Sequence, residues 1–187
     1  LGYELDYNPE QTCCGQPAYN AGHWDEARAV ASRFIDCFKE AECIVAPSGS
    51  CTAMITKFYG ELFEGHLKRG EALALQDKSF EFSQFLKAED RISDVQGSLA
   101  AKVAFHNSCH SYRELGITTE PFEILDRING CEVLQPAGEP VCCGFGGLFM
   151  VKYPEVSGSM AKARLAQLLQ PGAQMIVSND PGCIMNL

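Results

Sequence analysis

The chain has no block rich in Lys or Arg. Acidic residues outnumber basic ones by 24 to 15, and the formal charge is −9. An acidic surface repels phosphate backbones and anionic lipid, which argues against nucleic-acid and membrane-surface roles. No apolar run comes near the roughly 20 residues that a membrane helix needs. There is no G-x-G-x-x-G after a strand pattern and no P-loop, so no nucleotide fold is signalled. A C-x2-C knuckle, the usual ligand pair of structural zinc sites, is also missing.

What the chain does have is cysteine, ten in 187 residues. Such a count fits either a disulfide framework or a metal framework. The adjacent pairs Cys13-Cys14 and Cys142-Cys143 favour metal, because neighbouring residues rarely bridge each other. Secreted disulfide scaffolds are also usually shorter and poorer in apolar core, whereas 46% of this chain is hydrophobic. A reducing, cytoplasmic setting is the matching expectation.

The cysteines lie in a repeat. Residues 2–15 read GYELDYNPEQTCCG, and residues 130–144 read GCEVLQPAGEPVCCG. Each has an apolar stretch, a turn containing Pro, then Cys-Cys-Gly. Further on, ECIVAPSGSCTAM (42–54) matches QMIVSNDPGCIMN (174–186). Cys51 stands 37 positions after Cys14, and Cys183 stands 40 after Cys143. Two matched landmarks at nearly equal spacing point to internal duplication. The second copy also has KVAFHNSCH (102–110), which places Cys109 33 positions before Cys142. A matching cysteine for the first copy falls upstream of Leu1, so the expectation is a fragment whose first repeat lacks its opening strand and first cysteine.

The patterns predict strands near 3–6, 43–47, 103–106, 131–135 and 174–178. They predict helices near 22–40, 52–67, 79–87, 119–129 and 154–169. Pro154 and Pro171 punctuate the last helix, whose buried face is expected at Val156, Met160, Ala163 and Leu168. Strands alternating with helices argue for an α/β fold of two Rossmann-like halves with parallel sheets, related by internal duplication, the N-terminal half truncated. The expected division is a first cysteine-rich repeat at 1–67, a polar linker at 68–100 and a second repeat at 101–187.

In parallel α/β sheets, ligands bind beyond the carboxyl ends of the strands. Cys51, Cys109 and Cys183 each follow a predicted strand directly, and the two pairs follow a strand plus a turn. Per copy, one single Cys, one pair and one further Cys can converge. Four thiolates suit a [4Fe–4S] cluster or zinc. Ligands scattered from Cys109 to Cys183 on an α/β frame favour a cluster, with zinc as the alternative. Gly15 and Gly144 let backbone approach the site, and GFGG (144–147) offers N–H groups to sulfur.

The motifs TCCGQPAYNAG, APSGSCTAMI, FHNSCH, VCCGFGG and SNDPGC carry a resemblance. The pattern Cys…Cys-Cys-Gly…Cys, given twice, resembles the cysteine-rich (CCG) domain family. That family includes the cysteine-rich component of heterodisulfide reductase, glycolate oxidase iron–sulfur subunits and the lactate utilization A proteins, and the wording is most similar to the last. The resemblance spans essentially the whole chain. It implies iron–sulfur ligation by Cys13, Cys14 and Cys51 in the first copy, and by Cys109, Cys142, Cys143 and Cys183 in the second. It further implies an electron-transfer subunit of a complex oxidising L-lactate to pyruvate. Its partners would be a ferredoxin-like iron–sulfur subunit and a third subunit. Nothing in the sequence binds flavin or nicotinamide, so the chain alone is not expected to oxidise lactate. Where heterodisulfide reductase closes each repeat with C-x2-C, this chain has Met54 and Asn186, which puts a five-cysteine cluster and heterodisulfide chemistry in doubt.

The remaining candidates have ordinary readings. Cys37, Cys43 and Cys131 are expected as buried core residues. His110, beside Cys109, can orient a thiolate or simply hydrogen-bond a loop; His23, His66 and His106 are expected to be structural. A Cys109–His110 nucleophile does not explain a duplicated Cys-Cys-Gly. Gln16, Tyr19 and Asn20 either line the first site or serve a helix start. A zinc-stabilised scaffold module is the competing function, followed by glycolate-oxidase-like or heterodisulfide-reductase-like subunits.

Overall fold

Parallel strand pairing organises the chain. The computed structural model describes residues 1–136, 138, 141–169 and 172–187. Helix α1 (Gln16–Asn20) follows the first Cys-Cys-Gly, and α2 (Trp24–Phe38) packs against it. Asp25 and Glu26 sit in the first turn of α2, where the helix dipole favours negative charge. Ala27, Ala31, Phe34 and Ile35 recur on one face at helical spacing and are buried. Strand β1 (Ile44–Ala46) leads into α3 (Gly49–Ala53), a π-helical turn (Met54–Phe58) and α4 (Tyr59–Leu62). Met54, Ile55, Tyr59, Leu62 and Phe63 fill the core against α2 and α5 (Arg69–Gln76). Burying one such side chain contributes roughly 1.5–3 kcal/mol.

Residues 68–100, read from sequence as a polar linker, hold ordered elements. After α5 come β2 (Ser79–Glu81) and α6 (Phe82–Ala88), and β2 pairs parallel to β1 with Val45 opposite Phe80. The helix expected over 79–87 therefore starts as a strand. The buried Glu81 carboxylate ends it by capping α6, accepting the Ser83 N–H at 2.8 Å.

The second sheet is parallel, in the order β4-β3-β5. Its central strand β3 (Gly97–His106) is longer than the predicted 103–106. Helices α7 (Cys109–Arg113) and α8 (Glu120–Leu125) lead to β4 (Ile128–Leu134). Beyond the second Cys-Cys-Gly come α9 (Phe149–Lys152), α10 (Pro154–Leu169), β5 (Met175–Ser178) and α11 (Pro181–Asn186). Val103 lies opposite Val133 on one side and Met175 on the other. Flanked on both edges, the end of β3 is buried from Val103 to His106, as a central parallel strand is. The fold is mixed α/β with two parallel sheets, as the sequence pattern implies.

Several local expectations need correction. Residues 3–6 form no strand: Tyr3, Leu5 and Tyr7 alternate, but no described strand pairs with them, and Leu5 stays 87% exposed. The helix expected at 52–67 begins at Gly49 because Ser48 caps it, and gives way before Gly65, whose φ is 71°. The helix expected at 119–129 stops at Leu125, where the chain turns into β4. The buried face of α10 is Ser157, Ala161, Arg164 and Leu168, and Val156 is 53% exposed. Pro171, read as that helix's stop, lies outside the described residues. Cys43 is exposed and Cys37 and Cys131 are half-buried, so none is a fully buried core residue. Cys43 stands ahead of β1 rather than within it, and no neighbouring strand covers it.

Candidate metal centre

Three cysteines open short helices directly after strands. Cys109 is the first residue of α7 after β3, while Cys51 and Cys183 are the third residues of α3 and α11, after β1 and β5. In each case a polar side chain caps the helix and fixes the cysteine. Ser48 Oγ accepts the Cys51 N–H at 3.3 Å, and Ser108 Oγ accepts the Ser111 N–H at 3.1 Å. Asp180 Oδ1 accepts the N–H groups of Gly182 and Cys183 at 3.0 and 3.4 Å.

The two pairs share a local geometry. Gly15 and Gly144 have φ of 89° and 88°, and each sends its N–H back to the first sulfur of its pair. Those distances are 3.5 Å to Cys13 Sγ and 3.3 Å to Cys142 Sγ. A Cβ at either glycine would meet backbone, 2.9 Å from Ala27 O and 2.7 Å from Ser157 O. The second cysteine of each pair is buried, with its carbonyl held by a side chain. Tyr59 Oη donates to Cys14 O at 2.9 Å, and Asn186 Nδ2 donates to Cys143 O at 2.8 Å. Met54, the other position where C-x2-C would close, is fully buried in the core.

The sulfurs gather into two groups. Cys14 is within hydrogen-bonding reach of Cys13 and Cys51. Cys142 reaches Cys109 and Cys143, and Cys143 reaches Cys183. All seven cysteines singled out from sequence thus fall into these sets, three in the first and four in the second. Crowding splits their acidities. The Cys13 thiol is drawn down by its hydrogen bond with Cys14 and by the Gly15 N–H. Cys142 is drawn down by Cys109, Cys143 and the Gly144 N–H. Cys14, Cys109 and Cys143 are pushed up by these same neighbours and by burial. Cys51 is drawn down as well, chiefly by its hydrogen bond with Cys14. A lowered thiol pKa favours the thiolate form that a soft metal takes.

Family comparison fits this arrangement. The family described as CCG, cysteine-rich domain, matches residues 1–56 and 103–187. The chain belongs to the CCG cysteine-rich domain family. It is 38% identical to Lactate utilization protein A of Halalkalibacterium halodurans, over all of this chain and 76% of that protein. It is likewise 38% identical to Lactate utilization protein A 2 of Bacillus cereus, over the full chain and 77% of the relative. Lactate utilization protein A of Lysinibacillus sphaericus matches at 38% over 98% of this chain and 81% of its own length.

The CCG residues suit a thiolate-held metal group. The second set has four sulfurs, and a ring nitrogen of His106 lies with Cys143 and Cys183 Sγ, all three atoms within 4.8 Å of one another. His106 is fully buried at the end of β3, and its Nε2 is one of two buried side-chain polar atoms left without a hydrogen-bond partner among the described residues. Burial and the neighbouring Arg164 hold its pKa down to about 4. A buried imidazole nitrogen left without a partner beside cysteine sulfurs is what a site shaped around a further group leaves behind.

The CCG sets also touch each other. Gln16 Nε2 donates to Ser50 O at 3.2 Å and lies 3.1 Å from His110 Nε2. A donor there leaves His110 Nε2 as acceptor, so Nδ1 carries the proton and faces Cys109 Sγ at 3.6 Å. His110 thus orients a thiol and joins the two sets through Gln16. Tyr19, by contrast, bonds Glu61 and stacks on Trp24. Sequence reading missed Asp180, Arg164 and Ser157. The Asp-Pro-Gly before Cys183 is a helix-start signal that could have flagged Asp180; nothing in the pattern marks Arg164 or Ser157.

Proposed function

We propose that the chain is an iron–sulfur electron-transfer subunit of a system that oxidises L-lactate to pyruvate. The observation that carries this reading is the gathering of Cys109, Cys142, Cys143 and Cys183 around backbone and imidazole N–H groups. The names of the CCG relatives at 38% identity supply the lactate context.

In this reading Cys109, Cys142, Cys143 and Cys183 hold a cluster, most simply [4Fe–4S], and Cys13, Cys14 and Cys51 hold part of a second. Such a group supplies one-electron transfer; the protein supplies ligation, burial and hydrogen bonds. Gly15 and Gly144 give N–H groups to Cys13 and Cys142. Arg164, buried beside Cys143 and Cys183, offsets thiolate charge. Lactate oxidation releases two electrons, so the chain works with partners: a ferredoxin-like iron–sulfur subunit and a third subunit of the same system. Residues 1–67 and 101–187 are read as duplicated halves, with 68–100 joining them, and the setting is cytoplasmic. No helix among the described residues is long and apolar enough to cross a membrane.

The test is anaerobic purification of the full-length protein with iron and sulfide analysis and a visible spectrum. Bound iron and sulfide in comparable amounts, with broad absorption near 400 nm, is the expected result. A colourless protein holding zinc overturns the reading and supports a scaffold module. The four thiols gathered in the second set are the feature that would also suit zinc.

A further inference from the structure

His106 sits between two kinds of neighbour. Arg164 Nε donates to its Nδ1 at 3.0 Å, and the ring lies beside Cys143 and Cys183, one ring nitrogen and both Sγ atoms lying within 4.8 Å of one another. Arg164 is itself buried, with a further hydrogen bond to Gln167 Oε1 at 2.9 Å. A guanidinium N–H can only donate, so Nδ1 must accept. A neutral imidazole has one proton, and accepting at Nδ1 leaves that proton on Nε2. Nε2 then has no lone pair for a metal. It has a buried N–H beside the cysteine sulfurs, without a hydrogen-bond partner among the described residues.

We infer that His106, anchored by Arg164, is a hydrogen-bond donor to the Cys143 and Cys183 sulfurs of the second set, not a ligand. It is a positioning residue that stabilises negative charge on those sulfurs and so raises the reduction potential of the group they hold. This assignment rests on the iron–sulfur reading above for its redox consequence, but the proton's position does not. An N–H directed at a ligating sulfur favours the reduced, more negative state, which is how hydrogen bonds tune thiolate-held clusters.

Two measurements test this. Nitrogen-15 NMR of the metal-free full chain, which needs no variant, is expected to show His106 protonated at Nε2 and bare at Nδ1; a proton on Nδ1 overturns the assignment. Redox titration of the anaerobically reconstituted full chain compares His106→Leu, His106→Gln and His106→Cys. The expected outcome is unchanged iron in all three, a lower potential in His106→Leu, and partial recovery in His106→Gln, whose amide restores an N–H. Iron lost from His106→Leu and regained in His106→Cys would show a ligand instead. An unshifted potential in His106→Leu also defeats the proposal. If the unmodified chain takes up no iron, the iron–sulfur reading fails, while the NMR measurement still decides where the proton lies.

Discussion

Asp180 Oδ2 accepts the Ser50 backbone N–H at 2.8 Å. The other oxygen of the same carboxylate caps α11, so one side chain fixes the starts of two helices that present cysteines, Cys51 and Cys183. Ser48 Oγ adds a contact to Oδ2 at 3.4 Å. Asp180→Ala removes the cap of α11 and the acceptor for the Ser50 N–H in the first turn of α3, which Ser48 still caps. With a helix cap worth about 1 kcal/mol, the loss is expected near 2 kcal/mol. Asp180→Asn, which keeps one acceptor oxygen, loses about half as much. Urea unfolding of the metal-free chain measures both, and equal losses for the two variants would contradict this double acceptor role.

Gly144 separates backbone strain from close packing. Its φ of 88° disfavours any side chain, and a Cβ would lie 2.7 Å from Ser157 O. Gly22 has a similar φ of 80° but open space around it. Gly22→Ala is expected to cost roughly 1–2 kcal/mol from the left-handed backbone alone. Gly144→Ala is expected to cost roughly 1–3 kcal/mol more, because the backbone of α10 must move. Thermal unfolding of the two variants checks the difference, and equal costs would mean the close approach to Ser157 does not matter.

The carbonyls of the two buried cysteines are each held by one side chain. Tyr59→Phe leaves Cys14 O, and Asn186→Leu leaves Cys143 O, without that donor. A buried acceptor stripped of its partner costs about 1–3 kcal/mol. Each variant is expected to unfold more easily by that amount. Asn186→Cys, which rebuilds C-x2-C, is expected to lose stability in the same range rather than gain a fifth ligand, as denaturation and iron content together would reveal.

The cysteine pattern was legible because ligand chemistry depends on residue type and spacing, and both survive without coordinates. The parallel α/β class was legible for a similar reason, since strand runs such as KVAFH and QMIVS alternate with helical periods. What escaped was polarity buried with a purpose. On α10, apolar periodicity selected Val156, yet the inward positions are Ser157, bonded to Gly144 O at 2.8 Å, and Arg164, bonded to His106. A hydropathy pattern scores such residues as surface, because their partners lie far away in sequence. Tyr3, Leu5 and Tyr7 failed the other way: their alternation is real, but strand formation needs a pairing partner, and no described strand pairs with them.

Metal-holding cysteines and structural ones should part company on substitution by serine. Cys142→Ser and Cys143→Ser are expected to abolish iron binding at the second set of the reconstituted full-length protein, while Cys37→Ser and Cys131→Ser keep it. Serine oxygen is a poor match for a soft iron–sulfide core that thiolate suits. Cys142 and Cys143 lie within reach of Cys109 and Cys183. Cys37 instead contacts Glu10 O at 3.6 Å, and Cys131 pairs across the sheet with Ala101, away from either set. Both are half-buried, so serine there is expected to cost about 1 kcal/mol or less, without touching metal. Iron content and the visible spectrum after anaerobic reconstitution read the result. Full iron in the Cys142 and Cys143 variants, with loss in Cys131→Ser, would place the ligands elsewhere. Loss in all four would point to failed folding, which far-ultraviolet circular dichroism of each variant separates from lost ligation.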